Sequence, residues 1–412
     1  MRAGYGLSNL TPPLGIELAG YGYYLQRRAT HMLDPLRARA LLLEDEQGLF
    51  LLVSCDVLGL SRAIVETVEQ AMHAHYGLTR DRMMIVSIHT HTGPALKYHE
   101  GCGEVDALYA DTVAPRIIDA CDTAWRDLAP VESVHLCGAP LSAPFAYNRA
   151  HAANPVDDTV RGFIFRRVAR APIALVSYAC HAVSRGRIPA ISADYPGQVN
   201  ALLTARGYCS LYVNGVCGDI DPLIPQGEAR EARLDAFAQA ICDAFLARSA
   251  PCRPEVWAGR VPFTLRLTPT TAQDIRAAAA QAVAHSGGEG AGAARVARAW
   301  ERDMLARVEH LPTEETVSIA CVRIGGAREG VWLTALPFEA FTHTGQLIRR
   351  HAPGALVLGC AEELLGYLPT RDDIDRGAYA ALESTFLYKR LPAQAGEAER
   401  LGTALGTALR AK

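Results

Sequence analysis

The run MMIVSIHTHTGP, residues 83–94, constrains this chain more than any other stretch. Its apolar, β-branched first half reads as a buried strand, and the period-2 pleat sends residues i and i+2 to one side. His89 and His91 therefore converge at the strand's end. Thr92-Gly93-Pro94 then turns the chain out of the sheet into a loop, where sites are usually built on a rigid scaffold. An isolated H-x-H is equally well a solvated pair of strand-end histidines. Polar residues recur at strand ends further along the chain, and that recurrence favours a site.

The chain has 412 residues, 50% of them hydrophobic, enough to bury a large core as one large domain or two ordinary ones. Its net charge of -3 comes from 41 basic and 44 acidic residues with no long run of either sign. Such a balance gives no reason to expect nucleic acid or a strongly anionic membrane as partner, and leaves small, uncharged or amphipathic molecules as substrates. The opening MRAGYGLSNLTPP has no apolar export region, and no segment approaches the roughly 18 apolar residues of a membrane span. Eleven cysteines occur without a C-x-x-C pair, and several (Cys55, Cys180, Cys321, Cys360) lie in apolar runs where a thiol packs as a small hydrophobe. The expectation is a cytoplasmic protein without disulfides, without a thiolate zinc site and without an integral membrane segment. Oligomeric state leaves no mark in the sequence.

Strand-like runs alternate with helix-like ones. LFLLVSCD is followed by an amphipathic stretch from Ser61 to His75; MMIVSIHTH, GFIFRRV and IALVSYACH come next, then CSLYVNG and a helix from near Glu228 to Arg248. This alternation predicts an α/β fold of mixed sheets packed together with flanking helices. An alanine-rich helix over Thr271–His285, the breaker SGGEGAGA and a second helix from about Ala294 to Val308 form a helical hairpin inserted at about 271–310. Its glycine-rich tip lacks the preceding strand that a dinucleotide-binding loop requires. No repeat or linker divides the chain, so residues 1–412 read as a single catalytic domain.

The strand ends carry the chemistry. VSIHTH places His89 and His91, LVSYACH places His181, and LYVNGVCGDID places Asn214, Asp219 and Asp221. VWLTALPFE places Glu339, and LVLGCAEELLGY leads to Tyr367. Loops at the carboxyl ends of strands gather on one side of an α/β sheet, which makes these groups candidates for one pocket. Two or three histidines and a carboxylate are the ligand set of a catalytic Zn²⁺ with one position open to water. Taken singly, His181 reads equally as a structural histidine, Glu339 as a first-turn carboxylate facing a helix dipole, and Tyr367 as a pocket-lining ring. His343, four residues after Glu339, would share its helix face. The pair His99-Glu100 is not followed by the second histidine of H-E-x-x-H, and no G-x-S-x-G elbow occurs.

Assembled in order, these elements resemble the catalytic domain of the neutral (non-lysosomal) ceramidase family. The resemblance rests on LTPPLGIELAGYG, the H-T-H-[ST]-G-P signature at His89–Pro94, Asn148-Arg149, ACHAVS with Ser192-x-Asp194, NGVCGDIDP at Asn214–Pro222, P-x-E-x-x-T at Pro337–Thr342, and Tyr367 with Tyr379. It implies that His89, His181, Glu339 and Tyr367 bind one Zn²⁺ and that His91 is the acid/base. It further implies that Tyr379 donates to the substrate carbonyl and that Arg149 positions the polar end of the substrate. Asn148, Asp194, Asn214, Asp219 and Asp221 are candidate substrate contacts. Two departures stand out: Asp221 replaces the serine of the family's G-D-x-S-P, and the chain is expected to lack the immunoglobulin-like domain of larger relatives and an export signal. An amine-bearing substrate becomes plausible and ceramide a doubtful one.

The resulting expectation is a zinc-dependent amidohydrolase that cleaves a linear N-acyl bond of a small or amphipathic molecule by metal-activated water. The alternatives are an esterase or an amide-forming enzyme on the same site, and a non-catalytic binding protein on the same scaffold.

Overall fold

A computed structural model describes residues 1–225, 227 and 229–412. Two sheets stack face to face. The larger runs, from edge to edge, Cys209–Asn214, Arg170–Tyr178, Arg161–Arg167, Ala129–Cys137, Arg2–Asn9, Arg37–Asp45, Gly48–Cys55 and Met83–Ser87, with Ser249–Cys252 also paired to Ala129–Cys137. The smaller runs Val256–Arg266, Glu314–Ile324, Val331–Ala335 and Leu356–Leu358. Parallel and antiparallel pairs are mixed in both, which is the predicted α/β class.

Pleat alternation explains the layers. In Arg37–Asp45, Leu41 and Leu43 point toward the smaller sheet and pack in one cluster with Leu52, Val322, Leu333 and Leu358. Ala38, Ala40 and Leu42 point the other way, into a cluster with Ile64 and Val68 of the helix Arg62–Tyr76 and Ile117 and Ala120 of the helix Val113–Arg126. A strand covered on both faces is apolar on both, which is why three consecutive leucines suit it. Beyond the smaller sheet, Ile319 and Cys321 meet Ile348, Leu401, Leu405 and Leu409 of the helices Thr342–His351 and Glu397–Arg410. Each such buried leucine contributes about 1.5–3 kcal/mol.

The larger sheet curls until its opposite ends meet. Ser54 Oγ donates to the Tyr212 carbonyl at 2.6 Å, and Asn214 Nδ2 donates to the Ile88 carbonyl at 3.1 Å. Just beyond the strands, Thr90 bridges Ala182 and the His91 amide donates to the Ala182 carbonyl at 3.2 Å. Segments about ninety residues apart in the chain therefore leave the sheet side by side.

The helices Ala272–His285 and Gly292–Ala306 lie against each other, the first opened by a reciprocal capping box between Thr271 and Asp274. Their apolar faces, through Ile275, Ala279, Val296 and Trp300, pack on Cys102, Phe386 and Leu387. A further helix spans Ala229–Ala247; Glu228, where the sequence places its start, lies outside the described residues. Among the described residues no helix is long and apolar enough to cross a membrane. All eleven cysteines are free thiols.

One buried ion pair anchors the corner under the site. Arg39 Nη1 reaches both carboxylate oxygens of Asp56 at 2.7 and 2.6 Å, and the Arg37 amide donates to Asp56 at 2.9 Å. The next residues, Val57 and Leu58, receive His89 through their carbonyls. Asp56→Asn leaves the Arg39 charge unmatched and is expected to cost about 3–5 kcal/mol, read as a lower urea midpoint at unchanged slope.

Candidate metal centre

The two histidines of H-x-H meet, but not by pleating. The strand ends at Ser87, and His89 takes a left-handed backbone with φ of 64°, a conformation that strains a residue with a Cβ and is found where surroundings over-determine it. The His89 amide donates to the Val57 carbonyl, and the bridge between Thr90 and Ala182 fixes the path of the chain from there to His91. The reversal brings the rings of His89 and His91 to 5.0 Å between centroids, with His181 at 5.1 and 5.7 Å from them. One ring nitrogen from each of the three lies within 4.8 Å of those of the other two.

Glu339 completes the group. It sits in the two-residue strand Glu339–Ala340, paired in parallel with Tyr367–Leu368 so that Glu339 stands opposite Tyr367. Its Oε2 is 3.2 Å from His89 Nε2 and 3.1 Å from His181 Nε2. On their other nitrogens, His89 Nδ1 donates to the Leu58 carbonyl at 2.8 Å and His181 Nδ1 to the Cys217 carbonyl at 2.6 Å. A carbonyl only accepts, so both Nδ1 atoms carry a hydrogen and both Nε2 atoms turn to Glu339, as donors to it when the rings are protonated and as free lone pairs when they are neutral. This is the arrangement of metal-ligating histidines. Tetrahedral bonds of about 2.0–2.1 Å give ligand-to-ligand edges of about 3.3 Å, close to the spacings here, so the donor set fits a divalent ion.

Electrostatics agree. Burial alone pushes the Glu339 carboxyl up, but the adjacent His89 and His181 override it and hold the group well below the usual carboxylate range. His91 is different: burial, then the neighbouring His89 and His181, push its imidazole well below the usual range. Neither of its ring nitrogens has a partner in the protein. Its ring stands edge-on to Tyr21 at 5.0 Å and against Gly20, where a Cβ would come 2.5 Å from the imidazole.

Arg149 closes the other flank. Its Nη2 donates to Tyr367 Oη at 2.8 Å and to the Gly218 carbonyl at 2.9 Å, and its Nη1 is 3.5 Å from Asp221 Oδ1. Gly218 is glycine for space, since a Cβ there would lie 2.2 Å from the Glu339 carbonyl oxygen. Tyr379, 42% exposed, stands edge-on to Tyr367 at 6.0 Å and lines the same cavity as His89, His91 and Glu339.

Four of the five proposed substrate contacts are consumed within the scaffold. Asp194 accepts the amides of Ser184, Arg185 and Tyr195. Asn214 accepts from the Cys180 amide and donates to Ile88. Asp219 accepts from Thr342 through both its amide and hydroxyl and from Asn148 Nδ2, while Asn148 Oδ1 accepts the amides of Ala150 and His151. Asp221 alone keeps an oxygen, Oδ1, with no hydrogen bond. His343 also departs from expectation: Glu339 precedes the helix Thr342–His351 instead of belonging to it, so the four-residue spacing puts them on no common face.

Two residues that sequence reasoning passed over belong to this centre. Tyr388 Oη donates to Glu339 Oε1 at 2.5 Å, and its ring packs edge-on against His99 at 4.5 Å. Burial, aided by Lys97, pushes the His99 imidazole down to about 3. Neither residue sits at a strand end; His99 stands out in the sequence only as the start of an incomplete H-E-x-x-H pattern, and Tyr388 carries no local signal.

No family model matches the chain, and no curated protein matches it. Solved structures do. The whole chain aligns with 74% of a neutral ceramidase from Pseudomonas aeruginosa at TM-score 0.75 and 17% identity. It aligns equally over its whole length with 75% of a ceramidase complexed with C2, at TM-score 0.75 and 16% identity. The chain thus has the fold of neutral ceramidase structures.

Tyr388 holds one oxygen of Glu339 and leaves the other to the histidines. Tyr388→Phe is expected to weaken Zn²⁺ binding about 10–100-fold, measured by competition with a chromophoric chelator, with little change in thermal midpoint of the metal-free protein.

Proposed function

We propose that this chain is a zinc-dependent amidohydrolase acting on a linear N-acyl bond. The observation that carries the proposal is the convergence of two imidazole Nε2 atoms and one carboxylate oxygen, in the fold that the neutral ceramidase structures share. His89, His181 and Glu339 would hold the ion, with Tyr367 Oη as the fourth protein ligand. A divalent ion so bound supplies Lewis acidity and brings the pKa of water toward neutrality.

The protein's own groups account for the remaining needs of amide cleavage. His91 is assigned as the acid/base and not as a ligand. Ligating histidines are oriented by a hydrogen bond on their second nitrogen; His89 and His181 each have one, and His91 has none. Its neutral imidazole can accept a proton at one ring nitrogen and return it to the departing amine. Tyr379 is placed to donate its hydroxyl hydrogen to the carbonyl oxygen as negative charge develops there. Arg149, fixed by Gly218 and Tyr367, orients the polar end of the substrate and balances the Asp221 carboxylate. The eleven free thiols fit a reducing compartment such as the cytoplasm.

Chelation is expected to abolish hydrolysis of N-acyl amides, and one equivalent of Zn²⁺ per chain to restore it. His91→Ala should retain its zinc yet lose about 10²-fold or more in turnover; loss of zinc would make His91 a ligand instead. Matched amide and ester pairs decide the bond cleaved, and faster turnover of the esters with inert amides would replace the amidase assignment by an esterase.

A further inference from the structure

The cavity onto which His89, His91 and Glu339 open is completed by Leu58, His99, Cys102 and Leu387, and its volume is about 40 Å³. By the same measure one water needs about 10–15 Å³, so roughly three water-sized groups fill it. The attacking water and the scissile carbonyl share this space with His91, Tyr379 and Glu339, so the substituent that enters beside them is short.

The wall is firmly stitched. Cys102 and Leu387 belong to the cluster built by Trp300 and Val296 of the helical hairpin, and Trp300 Nε1 donates to the Arg390 carbonyl at 2.9 Å. The Glu100 amide donates to the Leu387 carbonyl at 3.2 Å, Tyr24 Oη donates to Glu100 at 2.6 Å, and Lys389 pairs with Glu100 at 3.2 Å. The loop bearing His99 and the helix Glu383–Tyr388 are thereby tied to each other and to the hairpin. Lengthening the cavity would require breaking these ties.

Within that wall one polar group is unspent. His99 is 5% exposed and its Nε2 has no partner in the protein. A buried polar atom without a partner is costly, and native structures rarely leave one without a role. We propose that this cavity takes a short, hydrogen-bonding substituent of the amide substrate, of the size of a hydroxyacetyl group, and that His99 is the residue that reads its polar atom. The inference rests on the hydrolase reading above and narrows it. Whichever side of the scissile bond enters the cavity is short and polar, and a long aliphatic chain is admitted only on the other side.

Two substrate series on the zinc-loaded enzyme test the size claim. One varies the acyl group of N-acyl ethanolamines from acetyl to dodecanoyl, and the other varies the amine of acetamides from ethanolamine to dodecylamine. In one series kcat/KM is expected to fall at least 100-fold with chain length, and equal tolerance of long chains in both overturns the proposal. For His99, ligand-observed NMR titration compares hydroxyacetamide with propionamide, which has a methyl in place of the hydroxyl. The wild type should favour the hydroxylated ligand at least 10-fold; His99→Leu should lose that preference and keep its zinc, and His99→Gln should preserve it. A preference that is absent in the wild type or unchanged in His99→Leu shows that the nitrogen serves only a water, and refutes the proposal. Since this measurement needs no turnover, it decides the subsite even where every amide proves inert, an outcome that would overturn the hydrolase reading alone.

Discussion

Two imidazole nitrogens and a carboxylate oxygen held together inside a protein need a positive charge among them, carried either by protons on the rings or by a bound cation. Here that need is built in: the carbonyls of Leu58 and Cys217 take the Nδ1 hydrogens of His89 and His181 and turn both Nε2 atoms to Glu339. All three residues are at most 1% exposed, so water does little to screen them from one another. A divalent cation that displaced the Nε2 protons would meet the same need with the same three groups.

The fold supplies the means of bringing these groups together. His89 and His181 follow strands of one sheet that are far from neighbours in strand order, and only the curl that seats Ser54 on Tyr212 and Asn214 on Ile88 places their ends in register. Glu339 arrives from the other sheet, after Val331–Ala335, on a short strand held by Tyr367–Leu368. The centre therefore lies across the seam between the two sheets, and the apolar cluster shared by Leu41, Leu52, Leu333 and Leu358 sets the distance between them. Packing far from the metal-binding groups fixes the geometry at which they meet, because a close-packed interior transmits strain instead of absorbing it.

What could be read from the sequence divides along physical lines. His89, His91, His181 and Glu339 were legible because strand-end chemistry follows from hydrophobic periodicity, which is a local property. The left-handed turn at His89 was not, since hydrogen bonds to Val57 and a bridge to Ala182 impose it from outside the segment. Tyr388 carried no signal, and His99 only that of an incomplete motif, for a related reason: the helix and loop that bear them are set beside the site by packing against the helical hairpin. Asp194, Asn214, Asp219 and Asn148 mislead in the opposite sense. Polar residues beside a site look alike whether they face a ligand or brace the loops that do, and only their hydrogen-bond accounts tell them apart.

Asp221 is where these threads meet. The residues around it are braces, and it differs from them in keeping one oxygen free of hydrogen bonds while lying 3.5 Å from Arg149. Arg149 stands close enough to Tyr367 and His181 to feel any cation bound there, so like charges would crowd this flank if nothing offset them. A serine in this place offers a hydroxyl and no charge; a carboxylate removes one unit of positive charge beside the guanidinium and opens a second acceptor to an incoming molecule. On the proposed reading, a carboxylate in place of that serine would let the pocket hold both a guanidinium and a divalent ion, and would favour substrates that bring a hydrogen-bond donor with them.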